Sequence, residues 1–150
     1  MPVSYGLVEA GEGARLLPWS FVTSRMEVAR NYWLSTASPD GLPHAAPVWG
    51  LWHRESFFFG TDRASRKGRN LLAQPWVVVH LESGDEAVII TGKAGPVKDP
   101  DLLAELDGRY FEKYAFHLDP GQTYQIHPTT VLAWLESDFP RTATRWRLSS

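Results

Sequence analysis

Tyr32-Trp33-Leu34-Ser35-Thr36-Ala37, then Ser38-Pro39-Asp40-Gly41, then His44-Ala45-Ala46-Pro47-Val48-Trp49-Gly50-Leu51-Trp52-His53 is the stretch whose reading decides the fold. Aromatic and β-branched residues make the first run a strand, and the Asp-Gly pair behind it is a strong turn signal. The two runs therefore predict an antiparallel hairpin. The second run is apolar at both parities: Ala45, Pro47, Trp49 and Leu51 alternate with Ala46, Val48, Gly50 and Trp52. Both faces of that strand are expected to be covered. A flat sheet with one solvated face leaves such a strand half wet. A sheet curled into a small barrel, with helices or a second subunit outside, covers it and removes the edges.

Upstream of the hairpin, Trp19, Val22, Met26 and Ala29 follow helical spacing behind Pro18, a residue suited to a first turn. Residues 1–17 read as an extended or loosely ordered segment, and 18–150 as a single domain. Downstream, Ser56-Phe57-Phe58-Phe59-Gly60 is a strand, and a short helix over about 64–74 is stopped by Pro75. Strands over 76–82 and 87–97 follow, joined by a turn at Ser83-Gly84-Asp85. Asp99-Pro100-Asp101 has the form of an N-cap with Pro at the first helical position, ahead of a stripe of Leu103, Leu106, Tyr110 and Tyr114. The tail returns to strand character at 123–126, 131–136 and 143–148. Strands outnumber helices, so the fold class is mainly β: an antiparallel barrel flanked by short helices.

Composition narrows the function. The chain has 150 residues, 43% hydrophobic and 21% charged, which is ordinary for one soluble globular domain. Its net charge of −2 gives no overall pull toward nucleic acid or anionic membrane, so any basic site is local. No cysteine is present, which excludes disulfides, thiolate metal sites and cysteine nucleophiles. No apolar run is long enough to span a bilayer, and the first 17 residues lack a signal-peptide core, so a cytoplasmic protein with no membrane partner is expected. His44, His53, His80, His117 and His127 show no ligand spacing, so no metal site is expected. No serine sits in a nucleophile elbow. Seven tryptophans are many for this length and suit an interface or a ligand cavity.

The local basic site is Thr61-Asp62-Arg63-Ala64-Ser65-Arg66-Lys67-Gly68-Arg69-Asn70. Here a strand end runs into a helix start, where unpaired amides and the helix dipole favour an anion, phosphate above all. Arg66 can fork onto phosphate oxygens and Lys67 acts as a point charge. Arg66 and Asn70, four apart, share a helix face, Ser65 lies near the free amides, and Thr61 can add a hydroxyl. The competing reading is a solvated basic face with Thr61 only capping the turn. Clustered arginines near aromatics also suggest RNA, but the near-neutral overall charge favours a single-phosphate site.

These residues carry a family resemblance. Tyr32-Trp33-Leu34-Ser35-Thr36, Pro39-Asp40-Gly41-Leu42-Pro43-His44 and Pro47-Val48-Trp49-Gly50 resemble the first hairpin of the flavin-binding split barrels. These are the pyridoxamine 5′-phosphate oxidase-like proteins and their deazaflavin-dependent oxidoreductase relatives. Ser65-Arg66-Lys67-Gly68-Arg69-Asn70-Leu71, Val79-His80-Leu81-Glu82-Ser83-Gly84-Asp85 and Thr144-Arg145-Trp146-Arg147 continue it in order. The resemblance implies a homodimer of split β-barrels with two cofactor sites at the interface. It implies a cofactor phosphate on the short helix (Thr61, Ser65, Arg66, Lys67, Asn70) and a ring along Pro47, Val48 and Trp49, reached by Arg145 and Trp146 from the last strand. For the side chain of Trp49, core or interface packing is the competing reading; for Arg145 and Trp146 it is an exposed strand with ordinary cross-strand pairs. The Lys67-x-x-Asn70 form leans toward the deazaflavin coenzyme F420, with FMN as the alternative and a haem or non-catalytic binder as a third. The activity implied is an oxidoreductase acting on a small electron-poor organic substrate, the cofactor supplying the reactive centre. No stretch resembles the substrate-phosphate arginines of authentic pyridoxamine phosphate oxidases.

Overall fold

The computed structural model describes residues 4–8 and 16–148. Nine strands and four α-helices follow in the order β1 (Ser4–Val8), α1 (Trp19–Val28), β2 (Tyr32–Ala37), β3 (Pro43–Val48), β4 (Leu51–His53), β5 (Ser56–Gly60), α2 (Arg66–Ala73), β6 (Trp76–Leu81), β7 (Glu86–Pro96), α3 (Pro100–Tyr114), β8 (Thr123–Leu135), α4 (Phe139–Thr142) and β9 (Thr144–Leu148). All ladders are antiparallel. One path of the sheet runs β1-β9-β8-β7-β6-β2-β3, while β5 pairs with both β4 and β8.

That branching makes the split barrel. The long strand β8 pairs along its whole length with β7, but its first half also takes β5 and its second half β9. On the other side β2 takes β3 and β5 takes β4. β3 and β4 are consecutive pieces of chain, so the circuit closes through the backbone at Trp49-Gly50 and not through a ladder. A side chain at Gly50 would come within 2.1 Å of the Phe57 ring, so only glycine lets the chain cross there. The second close approach is at Gly92, where the β7–β8 register shifts and a Cβ would meet the His127 carbonyl at 2.2 Å. That bulge bends the pair, which lets one strand serve two flanks.

Three expectations change. The strand predicted over 44–53 is two, β3 and β4, because each half pairs with a different neighbour. Its two-faced burial holds for Leu51 and Trp52 but not for Ala45 and Pro47, which are exposed on an edge strand. The two tail strands over 123–126 and 131–136 are one, β8, with Pro128 accommodated at the bulge opposite Gly92. In the segment 1–17, Ser4–Val8 forms a strand against β9, while 1–3 and 9–15 lie outside the described residues.

The interior is filled by Tyr32, Leu34, Phe57, Phe59, Val79, Ile90, Ile126 and Val131, roofed by Phe21, Val22 and Met26 of α1. A second cluster joins Leu51 and Phe58, on the outside of β4 and β5, to Leu106, Tyr110 and Tyr114 of α3. β5 is thus the strand buried on both faces. Its turn from β4, Arg54-Glu55, holds both residues at positive φ (50° and 59°). Arg54 and His53 bind Glu105 of α3, at 3.0–3.1 Å, and Glu55 accepts from Trp19 Nε1 at 3.0 Å.

Candidate functional site

α2 begins where β5 ends. Thr61 N–H bonds the Gln122 carbonyl (3.0 Å), and the chain then turns through Asp62, whose carboxylate accepts from Ala64 N–H (2.9 Å). Ser65 is the N-cap: its hydroxyl donates to the Asp62 carbonyl (2.6 Å) and accepts from Gly68 N–H (3.0 Å). This leaves the amides of Arg66 and Lys67 without helical acceptors. No acidic residue stands in the first turn to neutralise them.

Beside this turn lies a cleft of about 370 Å³, lined by Asn31, Pro47, Val48, Trp49, Gly60, Lys67 and Tyr110. Four residues picked from the sequence, Pro47, Val48, Trp49 and Lys67, are therefore brought together although 20 positions separate Pro47 from Lys67. The end of β3 and the crossover residue Trp49 supply one wall, and α2 supplies the cation. The Trp49 ring stacks on Tyr114 at 4.5 Å between centroids and 7° between planes, so it also packs the barrel against α3.

The other candidates sit differently. Thr61 is buried, its hydroxyl 3.1 Å from that of Ser65, so both hydroxyls are committed to the turn. Arg66 is exposed to solvent, and its shared face with Asn70 does not carry both residues to the cleft. Asn70 is buried and donates from Nδ2 to the Thr36 hydroxyl (3.0 Å), fastening α2 to β2. On β9, Trp146 points into the core, edge-on to Trp19 at 5.4 Å, and Arg145 faces outward from the sheet beside Leu132. Neither lines the cleft of its own chain.

Sequence reading missed Asn31, Tyr110 and the network behind them. Lys113 Nζ donates to the Tyr32 hydroxyl (2.8 Å) and the Gly50 carbonyl (3.0 Å). The Tyr114 hydroxyl accepts from Gly50 N–H (3.0 Å) and lies 2.7 Å from the Arg30 carbonyl. Both polar groups of Gly50 are thus held by the last turn of α3. Burial, reinforced by Arg30, lowers the Lys113 ammonium to about 8; burial raises the Tyr32 phenol strongly and the Tyr114 phenol to about 12. The available signal was Lys113 itself, a lone cation between two tyrosines of an otherwise apolar stripe. Three of the five histidines have local partners: Glu105 for His53, the Leu81 carbonyl for His80 and Asp107 for His117. Among the described residues no three acidic or histidine side chains converge as a metal site would require.

The sequence pattern of the pyridoxamine 5′-phosphate oxidase family matches residues 26–137, three-quarters of the chain. The chain belongs to that family. No curated protein matches the sequence. Among solved structures, a conserved hypothetical protein from Mycobacterium tuberculosis superposes with a TM-score of 0.73 at 21% identity, covering 85% of this chain and 90% of that one. An F420 reductase gives 0.56 at 23%, covering 72% and 93%. The haem storage protein HutZ from Vibrio cholerae gives 0.61 at 15%, covering 71% and 87%. At these identities the likeness is one of fold, and within the family that fold is the split barrel.

Proposed function

We propose that the cleft binds a phosphorylated deazaflavin, coenzyme F420, and that the protein is an oxidoreductase exchanging hydride with a small, electron-poor organic substrate. The observation that carries this is the meeting in one cleft of Lys67, in the first turn of α2, with Pro47, Val48 and Trp49. The cation at a helix start suits a phosphate, and the strand end suits the edge of a flat heterocycle. Volume and composition fit a small-molecule site. When bound, such a cofactor supplies the hydride chemistry at its central ring. The chain's own part is to anchor the phosphate, orient the ring and exclude water with Trp49 and Tyr110.

FMN is the second reading. The lean toward the deazaflavin rested on Lys67-x-x-Asn70, and Asn70 is accounted for by its bond to Thr36. The FMN reading keeps every other part of the site.

The working unit in this proposal is a homodimer in the cytoplasm. Cross-strand register lines up Pro47, Trp33, His80, Ile89, Leu132 and Arg145 across the outer face of five adjacent strands and β9. Pro47 is exposed and the other five are half-buried in a single chain. A second copy covering this band removes the solvated face of β3 from water. It also brings the second copy's Arg145 toward the cleft, whereas Trp146 stays in the core. Absorbance spectra of the protein after incubation with F420 and with FMN, followed by removal of unbound cofactor, test the proposal. Retention of F420 supports it, retention of FMN alone selects the second reading, and retention of neither ends both.

A further inference from the structure

Two lining residues of the cleft lie just past the end of a ladder. The β2–β3 pairing stops at Tyr32 and Val48, and Asn31 and Trp49 are the next residues outward on the two chains. What joins them is the last turn of α3. The Tyr114 hydroxyl donates to the Arg30 carbonyl (2.7 Å) and accepts from Gly50 N–H (3.0 Å), while its ring carries the stacked Trp49. Each of these bonds falls on the residue next to one that lines the cleft. Lys113 completes the grip, with its ammonium on the Gly50 carbonyl and the Tyr32 hydroxyl. One turn further back, Tyr110 of the same helix lines the cleft itself.

Lys113 also makes the grip sensitive to pH. Burial, with Arg30 in support, holds its ammonium down to about 8. The groups that face it are Arg30 ahead of β2, Tyr32 on β2, and Tyr110 and Tyr114 on its own helix. Arg30 is a guanidinium that keeps its charge, and burial raises all three phenols. Among the described residues no carboxylate lies within 4.0 Å of Lys113. Near pH 8, Lys113 is therefore the member of this group that changes charge. Losing the proton turns two charge-assisted bonds into ordinary ones and removes a cation 4.9 Å from the Tyr32 ring centre and 5.2 Å from that of Tyr114.

We propose that Tyr114 and Lys113 are positioning residues of the cleft: the last turn of α3 holds Asn31 and Trp49 in place for the ligand, and the hold loosens when Lys113 loses its proton. This deepens the proposed function by naming what regulates affinity at that site, and it rests on that reading for the identity of the ligand. A cofactor that needs the clamped wall favours the protonated form, so its affinity falls as pH rises through 8.

The test measures the affinity of the full chain for FMN and for F420 at pH 7 and pH 9, in wild type, Lys113→Met and Tyr114→Phe. Wild type is expected to bind roughly three- to tenfold more weakly at the higher pH. Lys113→Met keeps the chain length without the charge, and should bind more weakly at pH 7 and lose the pH dependence. Tyr114→Phe keeps the ring on Trp49, and should bind more weakly at both pH values while retaining the dependence. A merely structural loss lowers affinity and leaves the profile alone, so an unaltered profile in Lys113→Met overturns the proposal. Wild-type affinity in Tyr114→Phe overturns it too. Backbone hydrogen exchange over residues 48–52 without ligand, corrected for the chemical pH dependence of exchange, supplies a second readout. Protection of that segment should fall between pH 7 and pH 9 in wild type and be low at both in Tyr114→Phe. Protection unchanged by either pH or substitution overturns the clamp. Failure of both cofactors to bind at either pH ends the cofactor reading and leaves hydrogen exchange to decide the clamp.

Discussion

At Gly50 the main chain does the work that a ladder does elsewhere in the barrel. Its N–H and carbonyl are both taken by α3, and a Cβ would overlap the Phe57 ring. Gly50→Ala is therefore expected to destabilise the protein by about 3 kcal/mol or more, measured by chemical denaturation. A cost below about 1 kcal/mol would show that the crossover has room to relax. Lys113, its partner, titrates near 8 in the folded protein against about 10.5 in the unfolded chain. Between those values the unfolded chain binds more protons, so stability rises with pH across that window. Allowing for partial solvent contact, the gain is on the order of 1–2 kcal/mol. Above pH 10 the raised Tyr32 and Tyr114 phenols act in the opposite sense, because the unfolded chain loses those protons first. Lys113→Met should abolish the rise between pH 8 and 10 in denaturation midpoints, and a rise that persists would assign it to another group. The sequence placed Gly50 in an apolar run and did not show that the last turn of α3 takes its N–H and carbonyl. Lys67 was singled out as a cation at a helix start and Pro47–Trp49 through the family resemblance, and all four line one cleft; that they hold a cofactor is the proposal. Asn70 was legible as a polar residue but not in its direction: helical spacing gives the face and not what the face meets.

Among the elements, strands announced themselves by alternation and helices by caps. Asp99 caps α3 through Asp101 N–H at 3.0 Å with Pro100 in the first turn, as the sequence implied. The breaks between elements were harder. β3 and β4 read as one strand because hydrophobicity is continuous across Trp49-Gly50, and only the pairing partners divide them. β8 read as two because Pro128 interrupts it, yet the Gly92 bulge absorbs the missing donor. α3 ends on Ala115 at φ 61°, a left-handed position usually given to glycine. Ala115 is exposed, so Ala115→Gly should relieve the strain without touching a contact and stabilise by about 0.5–1 kcal/mol. Thermal melts read this directly, and a lower melting temperature would mean that the glycine's unfolded-state entropy outweighs the relief.

For the whole molecule, the sequence led to a closed antiparallel barrel, and the family to which it belongs is built on that fold. What it could not give is which surface faces a second copy, because that depends on register across six strands. The outer band through Trp33, Ile89 and Leu132 is the proposed contact. Ile89→Glu, at a half-buried position, should yield a monomer by light scattering, and a persisting dimer would move the interface elsewhere. No helix among the described residues is long and apolar enough to cross a membrane. The central claim remains the anion cradle on α2 serving the cleft. Its most direct test is calorimetric titration of F420 and of FMN into wild type and Lys67→Ala. At least one cofactor is expected to bind wild type, and the substitution to weaken it by roughly 10- to 100-fold, the worth of one charge-assisted contact. Equal affinity in the two proteins would contradict it.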